Sequence, residues 1–366
     1  MVALRVVVLV SVIVGIPHFA SSAAARYVQI AHTPGVPYRS FQVEYPIVEL
    51  GLIEATAFGS LATARALLGV VAFLGDMLAF LSVRARAGER AGRRYLLLGT
   101  PLLLYIYRRS DLVSVGLAAL GVVLADRGRG KGGGAAFAGA ILAKLWPIVL
   151  LPAWLLQRRT SALRACAVVL VAGVGLWIAL GGWGAPGQVV TFRGATGWEV
   201  ESSVGAVVWV LTNERRFEAG AVRTGTITSA EHVALLVILV ALLVAIWRRA
   251  WSTGQDPWGV PAAASVAALL VTSPLLSPPY VAWLLPWLAF TTRRRTVLLG
   301  TIPIALTGAV VAVWYLGIGR GHPGVSQTML IARNLALVPL VGAAFVRDRG
   351  APRGAESGSA PVGGGS

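Results

Sequence analysis

The chain has few charged residues and almost no cysteine. Only 13% of its 366 residues are charged, whereas about a quarter is typical of a soluble domain, and 56% are hydrophobic. Its mean hydropathy is +0.74. A soluble domain of this length needs a polar surface, so a single soluble core cannot account for these apolar residues. Lipid must solvate the remainder, and the chain is predicted to cross a membrane many times.

The motifs of several enzyme classes are also missing. The single Cys166 lies inside an apolar run, which excludes a framework of disulfides or paired-cysteine metal sites. The sequence contains no P-loop or HExxH segment, and we predict no cofactor and no metal. The net charge of +17 does not indicate a nucleic-acid partner, because the charges sit in short clusters between apolar runs.

Apolar segments follow one another along the chain and predict an all-α, polytopic transmembrane bundle of about 10–12 helices. Residues 1–20 are interpreted as an uncleaved first helix rather than a signal peptide, because further hydrophobic segments follow. Pro147 and Pro152 interrupt the segment 135–156, which is predicted to form two half-helices in a shallow hairpin. The apolar segments lie near 2–20, 62–83, 95–107, 111–126, 135–156, 162–182, 231–249, 258–274, 278–292, 296–317 and 325–346.

The arginines give these crossings a direction. Short basic loops collect on one side, and the positive-inside rule places that side, with both termini, in the cytoplasm. Two long segments, 19–61 and 183–230, then form outer loops of a plasma-membrane protein. Long polar loops on one face indicate a site there. We assign a single transmembrane domain to 1–346 and predict a disordered cytoplasmic tail at 347–366.

The first outer loop carries Tyr38, Arg39, Glu44 and Tyr45. A carboxylate flanked by aromatic residues and an arginine is suited to a sugar, because carboxylates bind hydroxyl groups and accept protons from them. An interfacial aromatic belt with an Arg–Glu pair accounts for the same residues.

A very short outer turn contains Arg108, Arg109 and Asp111. Arginine binds phosphate in a bidentate manner, so the turn is a candidate phosphate site, although both side chains can also extend to lipid headgroups. Lys144 lies in an apolar helix near the proline break. A lone lysine there is costly and indicates either a cavity that binds a lipid-linked phosphate or a buried carboxylate partner.

Further candidates lie later in the chain. Glu201 follows Glu199 in the second outer loop, Tyr280 lies at the outer end of a helical pair, and Arg320 and His322 lie in the last outer loop. An ordinary loop histidine accounts equally for His322. Asp76, in the second helix, is expected to cap a helix or to pair within the bundle.

Four stretches of the chain, taken in order, resemble polyprenol-phosphate-dependent glycosyltransferases of the C-type membrane fold. More narrowly, the chain is similar to glycosyltransferase family 87, the mannosyltransferase-type group of high-GC Gram-positive bacteria. The stretches are GVPYRSF with EYP at 35–41 and 44–46, RRSDL at 108–112, AG and KLWP within 138–147, and ES with SPPYVAWLLP at 201–202 and 277–286.

The resemblance implies a membrane transferase that moves a sugar, most often mannose, from a polyprenyl-phosphate donor. The acceptor would be a lipid-linked or cell-envelope glycan at the outer face, and transfer would invert the anomeric centre. It implies that Lys144, Arg109 and Arg108 bind the donor phosphate and that Glu44, or else Asp111, is the catalytic carboxylate. Substrate would contact the remaining candidates, which are Tyr38, Arg39, Tyr45, Glu201, Tyr280, Arg320 and His322.

The chain departs from the family pattern at its expected acid. The family usually places an Asp a few residues before the position of Tyr27, whereas residues 23–26 here read Ala-Ala-Ala-Arg. Ser40 and Ile47 replace a further Asp and a Pro. An inactive relative that acts as a scaffold or binding subunit, and a transporter of lipid-linked sugar, are therefore alternatives.

Overall fold

The computed structural model describes residues 1–14, 23–191, 194–315 and 323–346. Helices dominate these residues, and five of the described helices are long and apolar enough to cross a membrane. The five are Leu61–Leu102, Thr160–Gly181, Ser229–Thr253, Arg294–Val313 and Gly324–Phe345. The prediction of a mainly helical chain with helices of membrane-spanning length and composition is confirmed, while the count of ten to twelve helices stays a prediction. The predicted tail at 347–366 lies outside the described residues.

The helices follow the predicted apolar segments closely. The α-helices are α1 (Val2–Ile13), α2 (Ala23–His32), α3 (Ile47–Thr56), α4 (Leu61–Gly99), α5 (Leu103–Ile106), α6 (Asp111–Asp126), α7 (Gly130–Ala143), α8 (Pro152–Leu156), α9 (Thr160–Gly181), α10 (Ala185–Val190), α11 (Ser203–Thr212), α12 (Ser229–Thr253), α13 (Val260–Thr272), α14 (Leu285–Phe290), α15 (Arg294–Val310) and α16 (Pro323–Gly342). Short 3-10 turns occupy Thr100–Leu102, Trp146–Leu150, Pro278–Leu284 and Ala343–Phe345, and a π-helical turn occupies Val311–Tyr315.

The long helix α4 reverses direction at Gly88. This glycine has φ 83°, which is outside the helical region. In a straight helix, residues eight apart are separated by about 12 Å. Here a Cβ placed on Gly92 would lie 3.1 Å from Cβ of Arg84, so the two halves run side by side. The apolar segments predicted near 62–83 and 95–107 are therefore two antiparallel arms, joined by the arginine-rich turn between them.

A buried ion pair holds the first helix against these two arms. Arg5 Nε donates to Asp76 Oδ2 at 2.8 Å, and both side chains are fully buried. The hydroxyls of Tyr95 and Tyr107 donate to the same carboxylate at 2.8 and 2.6 Å. Arg5 also donates to the carbonyl of Leu96 at 3.1 Å. The expectation that Asp76 pairs within the bundle is confirmed.

The predicted break in 135–156 is confirmed, and it falls at Lys144. Helix α7 ends at Ala143, and Lys144 is extended, with φ −147° and ψ 126°. Pro147 has no N–H to donate to the carbonyl of Ala143, so the helical ladder cannot continue there. A 3-10 turn, Trp146–Leu150, and the short α8 follow.

Small residues bring α4, α6 and α7 into close contact. A Cβ added to Gly116 of α6 would lie 2.5 Å from the carbonyl oxygen of Gly75 on α4. One added to Gly121 would lie 2.9 Å from the carbonyl of Gly133 on α7. Close backbone approach through small residues is a common way for helices to associate in lipid. It fixes Asp111, at the start of α6, near Lys144, at the end of α7.

The segment predicted as the second outer loop contains a small sheet that the sequence patterns did not reveal. Strands β1 (Trp198–Glu199), β2 (Arg216–Glu218) and β3 (Ala221–Thr224) are antiparallel in the order β1-β3-β2. Ala219 and Gly220 join β2 to β3 with φ 49° and 80°. Positive φ at both central residues is the geometry of a type I′ hairpin turn.

Two clusters of charged residues lie at opposite ends of α6. At its C-terminal end, which we call the arginine end, Asp126 pairs with Arg86 at 2.8 Å and with Arg159 at 3.2 Å. Arg86 also pairs with Asp256 at 3.0 Å. Asp111 begins the same helix at what we call the cavity end. Because 16 residues of helix span about 24 Å, the two clusters lie on opposite sides of the bundle. That the arginine end faces the cytoplasm stays a prediction.

Replacing Asp76 by Ala is expected to destabilise the protein by about 3–5 kcal/mol, because Arg5 would remain buried without its counter-ion. Thermal unfolding in detergent micelles measures the change. The control is Glu89→Ala, since the Glu89–Arg84 pair is half exposed and is expected to contribute less than about 1 kcal/mol. Equal losses in the two variants would contradict this account of the buried pair.

Candidate functional site

A cavity of about 1110 Å³ opens at the cavity end of the bundle. Its walls come from distant parts of the chain: α2, the segment after Lys144, α10, the small sheet, α13 and the 3-10 turn at Pro278–Leu284. Cations, carboxylates and aromatic rings share this space with an apolar wall. The charged residues that line it are Arg26, Glu44, Arg109, Lys144, Glu199, Glu201 and Arg223.

Lys144 connects the cavity to two carboxylates behind it. Its Nζ lies 3.9 Å from an oxygen of Glu49 and 3.9 Å from an oxygen of Asp111, and it lies 5.3 Å from the ring centroid of Tyr45. Glu49 and Asp111 are almost fully buried and do not line the cavity, whereas Lys144 does. The sequence context of Lys144 indicated either a buried carboxylate partner or a position in a cavity. In the structure the lysine has both.

The two buried carboxylates are held by neutral donors. Tyr27 and Ser110 both donate hydroxyl hydrogen bonds to Glu49 Oε1. The indole Nε1 of Trp283 donates to Asp111 Oδ1 at 3.0 Å. Hydrogen bonds of this kind stabilise an ionised carboxylate in a buried place. Both carboxylates are thereby fixed as counter-ions for Lys144.

Arg26 and Glu44 form a two-pronged ion pair at another wall of the cavity. Arg26 donates to the two carboxylate oxygens of Glu44 at 2.9 and 2.7 Å. It also donates to the side-chain oxygen of Gln29 at 2.9 Å and to the carbonyl of Gln42 at 3.2 Å. The pair ties α2 to the following loop. A bidentate guanidinium fixes the orientation of the carboxylate that it binds.

Glu199 and Glu201 form a second acidic wall. Glu199 ends strand β1, Glu201 lies in the turn that follows, and both side chains line the cavity. They are 7% and 4% exposed. Burial, and next the charge of Glu201, raise the pKa of Glu199 well above its usual range, although Arg223 and Arg333 oppose this. Two adjacent buried carboxylates cannot both ionise without cost, so one of them readily holds a proton.

The local chain explains why these two residues are held so firmly. Val200 N–H pairs with the carbonyl of Val222 on β3 at 3.0 Å. The Ser202 hydroxyl accepts from Gly205 N–H at 3.0 Å and so caps α11. A Cβ on Gly205 would collide with the carbonyl of Glu199, so only glycine fits there. On the far side, Asn334 of α16 donates to the carbonyl of Glu201 at 3.2 Å.

The structure brings together many, but not all, of the residues singled out from sequence. Glu44, Tyr45, Arg109, Lys144, Glu201 and Tyr280 line the cavity. Arg109 also donates to the hydroxyl of Tyr105 at 2.9 Å, and Tyr280 stacks on Trp283 with ring centroids 4.4 Å apart.

Other predicted residues lie away from the cavity. Tyr38 packs on Trp177, with ring centroids 5.7 Å apart, and its hydroxyl donates to the carbonyl of Tyr45 at 2.6 Å. Arg39 donates to the carbonyl of Ala179 at 2.9 Å, so both residues tie the first loop to α9. Arg108 is buried outside the cavity lining. Arg320 and His322 lie outside the described residues.

Sequence patterns did not single out Arg26, Glu49, Glu199 or Trp283 as site residues. The sequence around Glu49 indicates an interfacial helix, and the residue does lie in the first turn of α3, but its side chain faces inward and is fully buried. For Glu199 a pattern was available, because it lies two residues before Glu201. No local pattern identifies Arg26 as the partner of Glu44, since the chain folds back between them.

Comparison with models of protein families finds no match to this chain, and comparison with curated protein sequences finds none either. The geometry of the cavity therefore carries the functional argument.

The thermal stability of the wild type relative to Glu199→Gln is expected to fall as the pH rises. A carboxyl group whose pKa is raised on folding contributes stability below its unfolded pKa and loses it as the pH rises through the folded pKa. Glutamine cannot ionise, so this variant loses no such contribution. The charged and titratable groups around Glu199 are Glu201, Arg223, Arg333 and Tyr280. Melting temperatures measured between about pH 5 and about pH 9 test the trend.

The matched control is Glu214→Gln, at an exposed position of the same loop. Its melting temperature is expected to follow that of the wild type across the range. A constant difference between wild type and Glu199→Gln at every pH would show that ionisation of Glu199 carries no such penalty.

Proposed function

We propose that the chain is a membrane glycosyltransferase that moves a sugar, with mannose the first candidate, from a polyprenyl-phosphate donor to a lipid-linked or cell-envelope glycan. The observation that carries the proposal is the amphipathic cavity, which joins cations, carboxylates and stacked aromatic rings to an apolar wall. The resemblance of the four motif stretches to the family-87 transferases supports the same assignment, since each stretch contributes at least one residue to the cavity wall.

The polar part of the cavity suits a phosphosugar. Lys144 and Arg109 both line it, and Tyr280 interacts electrostatically with both. In this reaction the phosphate is the leaving group, and cations that stabilise its growing charge lower the barrier. The stacked rings of Tyr280 and Trp283 offer a flat apolar surface for a pyranose ring, beside carboxylates that accept its hydroxyl hydrogen bonds.

The apolar part suits a lipid tail. Ile148 and Val149, Leu239 of α12, and Leu269 and Leu270 of α13 line it. Only 6% of the most apolar window of α12 is buried, so lipid surrounds most of this helix and the cavity wall adjoins the bilayer. A lipid-linked donor could then enter sideways from the membrane with its head group towards Lys144. A cavity of this volume exceeds the usual range for a single small ligand, roughly 300–1000 Å³, and so has room for both a donor head group and an acceptor.

In the plasma membrane, the positive-inside rule would place this cavity outside, where a polyprenyl-phosphate donor, unlike a nucleotide sugar, is available. Transfer would need no metal, because Lys144 and Arg109 supply positive charge at the phosphate. In the described part of the chain, His, Cys, Asp and Glu residues form no group of three or more that is arranged for a metal.

Membranes that contain the wild-type chain are expected to transfer labelled mannose from polyprenyl-phosphate-mannose to an endogenous acceptor. Arg109→Gln and Lys144→Gln should each lower kcat/KM for the donor about 100-fold, because each removes a cation that stabilises the leaving phosphate. The measurement is incorporation of label against donor concentration, with identification of the labelled product.

Lys131→Gln is the control, since Lys131 is exposed at the start of α7 and lies away from the cavity. Unchanged donor kinetics in both cavity variants would contradict the phosphate site. Tight donor binding by the wild type without transfer would favour the binding-subunit alternative, and export of the intact donor would favour the transporter.

A further inference from the structure

The cavity has three lining carboxylates, and they differ in what already binds them. They are Glu44, Glu199 and Glu201. Glu44 receives both prongs of the Arg26 guanidinium, at 2.9 and 2.7 Å. Both carboxylate oxygens of Glu44 therefore already accept a charged hydrogen bond. This places Glu44 to fix the loop rather than to act as a base.

The two carboxylates behind Lys144 cannot reach a ligand directly. Asp111 and Glu49 are 1% and 0% exposed, and neither lines the cavity. Their oxygens accept from Trp283, Tyr27 and Ser110. Their place in the structure is to balance the charge of the lysine.

Glu199 differs from all of these. It lines the cavity and is more than nine-tenths buried, yet its Oε2 accepts no hydrogen bond from any described residue, which is also true of the Oε2 atom of its neighbour Glu201. Its carboxylate accepts one backbone hydrogen bond, from Leu276. A buried carboxylate oxygen without a donor is costly unless a ligand or a proton satisfies it. The neighbouring charge of Glu201 raises the affinity of Glu199 for that proton.

The position of Glu199 also suits a displacement reaction. Tyr280, Lys144, Arg109 and Glu199 all line the cavity. Lys144 and Glu199 come from different elements of its wall, the α7 break and strand β1. Inversion at a sugar carbon requires the leaving phosphate on one side and the attacking hydroxyl, with its base, on the other.

We propose that Glu199 is the catalytic base that takes the proton of the acceptor hydroxyl, an assignment that rests on the proposed glycosyl transfer. The acceptor oxygen uses a lone pair to form a bond to the anomeric carbon. The bond from that carbon to the phosphate oxygen breaks, and its electron pair stays with the polyprenyl phosphate. The hydroxyl proton passes to the Glu199 carboxylate and leaves to solvent or to the departing phosphate product.

This assignment also accounts for the residues at 23–26. Ala23 and Ala25 line the cavity beside Arg26, and none of the three offers a carboxylate. The sheet of the second long loop places Glu199 in the same cavity. The second long loop would thus supply the catalytic carboxylate that residues 23–26 of the first long loop lack.

The test uses the full chain in membranes from which the endogenous copy has been deleted, with labelled polyprenyl-phosphate-mannose as the probe. Glu199→Gln is expected to lower kcat about 100-fold or more while the donor KM changes less than about twofold, because the amide keeps the shape but cannot accept the proton. Glu199→Asp should retain measurable transfer. Glu214→Gln, the exposed control of the same loop, should match the wild type.

The pH profile of kcat/KM is a second measurement, and it distinguishes a catalytic base from a residue with a purely structural role. In Glu201→Gln the neighbouring negative charge is removed, so the acidic limb of the pH profile of kcat/KM should move to lower pH, with a smaller loss of kcat than in Glu199→Gln. The other charged and titratable groups that face Glu199 are Arg223, Arg333 and Tyr280, and this variant leaves them in place.

Each outcome decides between the two proposals. An active wild type together with a Glu199→Gln variant that keeps more than about half of its kcat would overturn the role of Glu199 and leave the proposed function standing. The role of Glu199 is likewise overturned if Glu44→Gln abolishes transfer and Glu199→Gln does not. A wild type that binds the donor but transfers nothing would overturn the proposed function, and the role of Glu199 with it. Loss of folding in Glu199→Gln is read from its melting temperature, and the Glu199→Asp variant then gives the rate comparison.

Discussion

The charge of Lys144 is the constraint on which the cavity end of the bundle depends. A lysine at the end of a buried apolar helix must be paired or hydrated, because an isolated ammonium in an apolar medium is very costly. Here Asp111 of α6 and Glu49 of α3 lie 3.9 Å away on the protein side, and the cavity lies on the other. The separation of 3.9 Å is longer than a direct charged hydrogen bond. The two carboxylates therefore balance the charge of the lysine but do not occupy its hydrogen-bond donors.

This arrangement requires α6 and α7 to pack closely. Glycine contacts draw both helices together, with α4 against α6, and Pro147 ends α7 where the lysine must leave the helix. Tyr27, Ser110 and Trp283 donate hydrogen bonds to the same two carboxylates. Since the donors are neutral, they add no further charge to balance. The bundle thus buries two acids and one base as a unit, and the Arg5–Asp76 pair of α1 and α4 is likewise buried with its charges paired.

Patterns along the sequence predict those parts of the fold that local physics determines. Apolar runs locate the helices, Pro147 locates the break beside Lys144, and an isolated Asp76 implies a partner inside the bundle. They do not predict contacts made by folding back, such as Arg26 with Glu44, which are 18 residues apart. They also overlook the small sheet, because strands of two to four residues carry too little alternation to be recognised. Glu199 lies in one of these strands, so its burial beside Glu201 becomes evident only in three dimensions.

The difference between Glu44 and Glu199 shows why composition alone cannot rank acids. Both residues belong to long polar loops, and both line the same cavity. Arg26 donates a hydrogen bond to each of the two carboxylate oxygens of Glu44 and so holds that side chain in a fixed ion pair. Glu199 instead shares its surroundings with another carboxylate, and the nearby arginines direct hydrogen bonds to backbone carbonyls: Arg223 to Gly197 at 2.7 Å, and Arg333 to Glu201. An acid that serves as a structural partner therefore needs a different environment from an acid that serves as a base. In this cavity Glu44 has the first environment and Glu199 has the second.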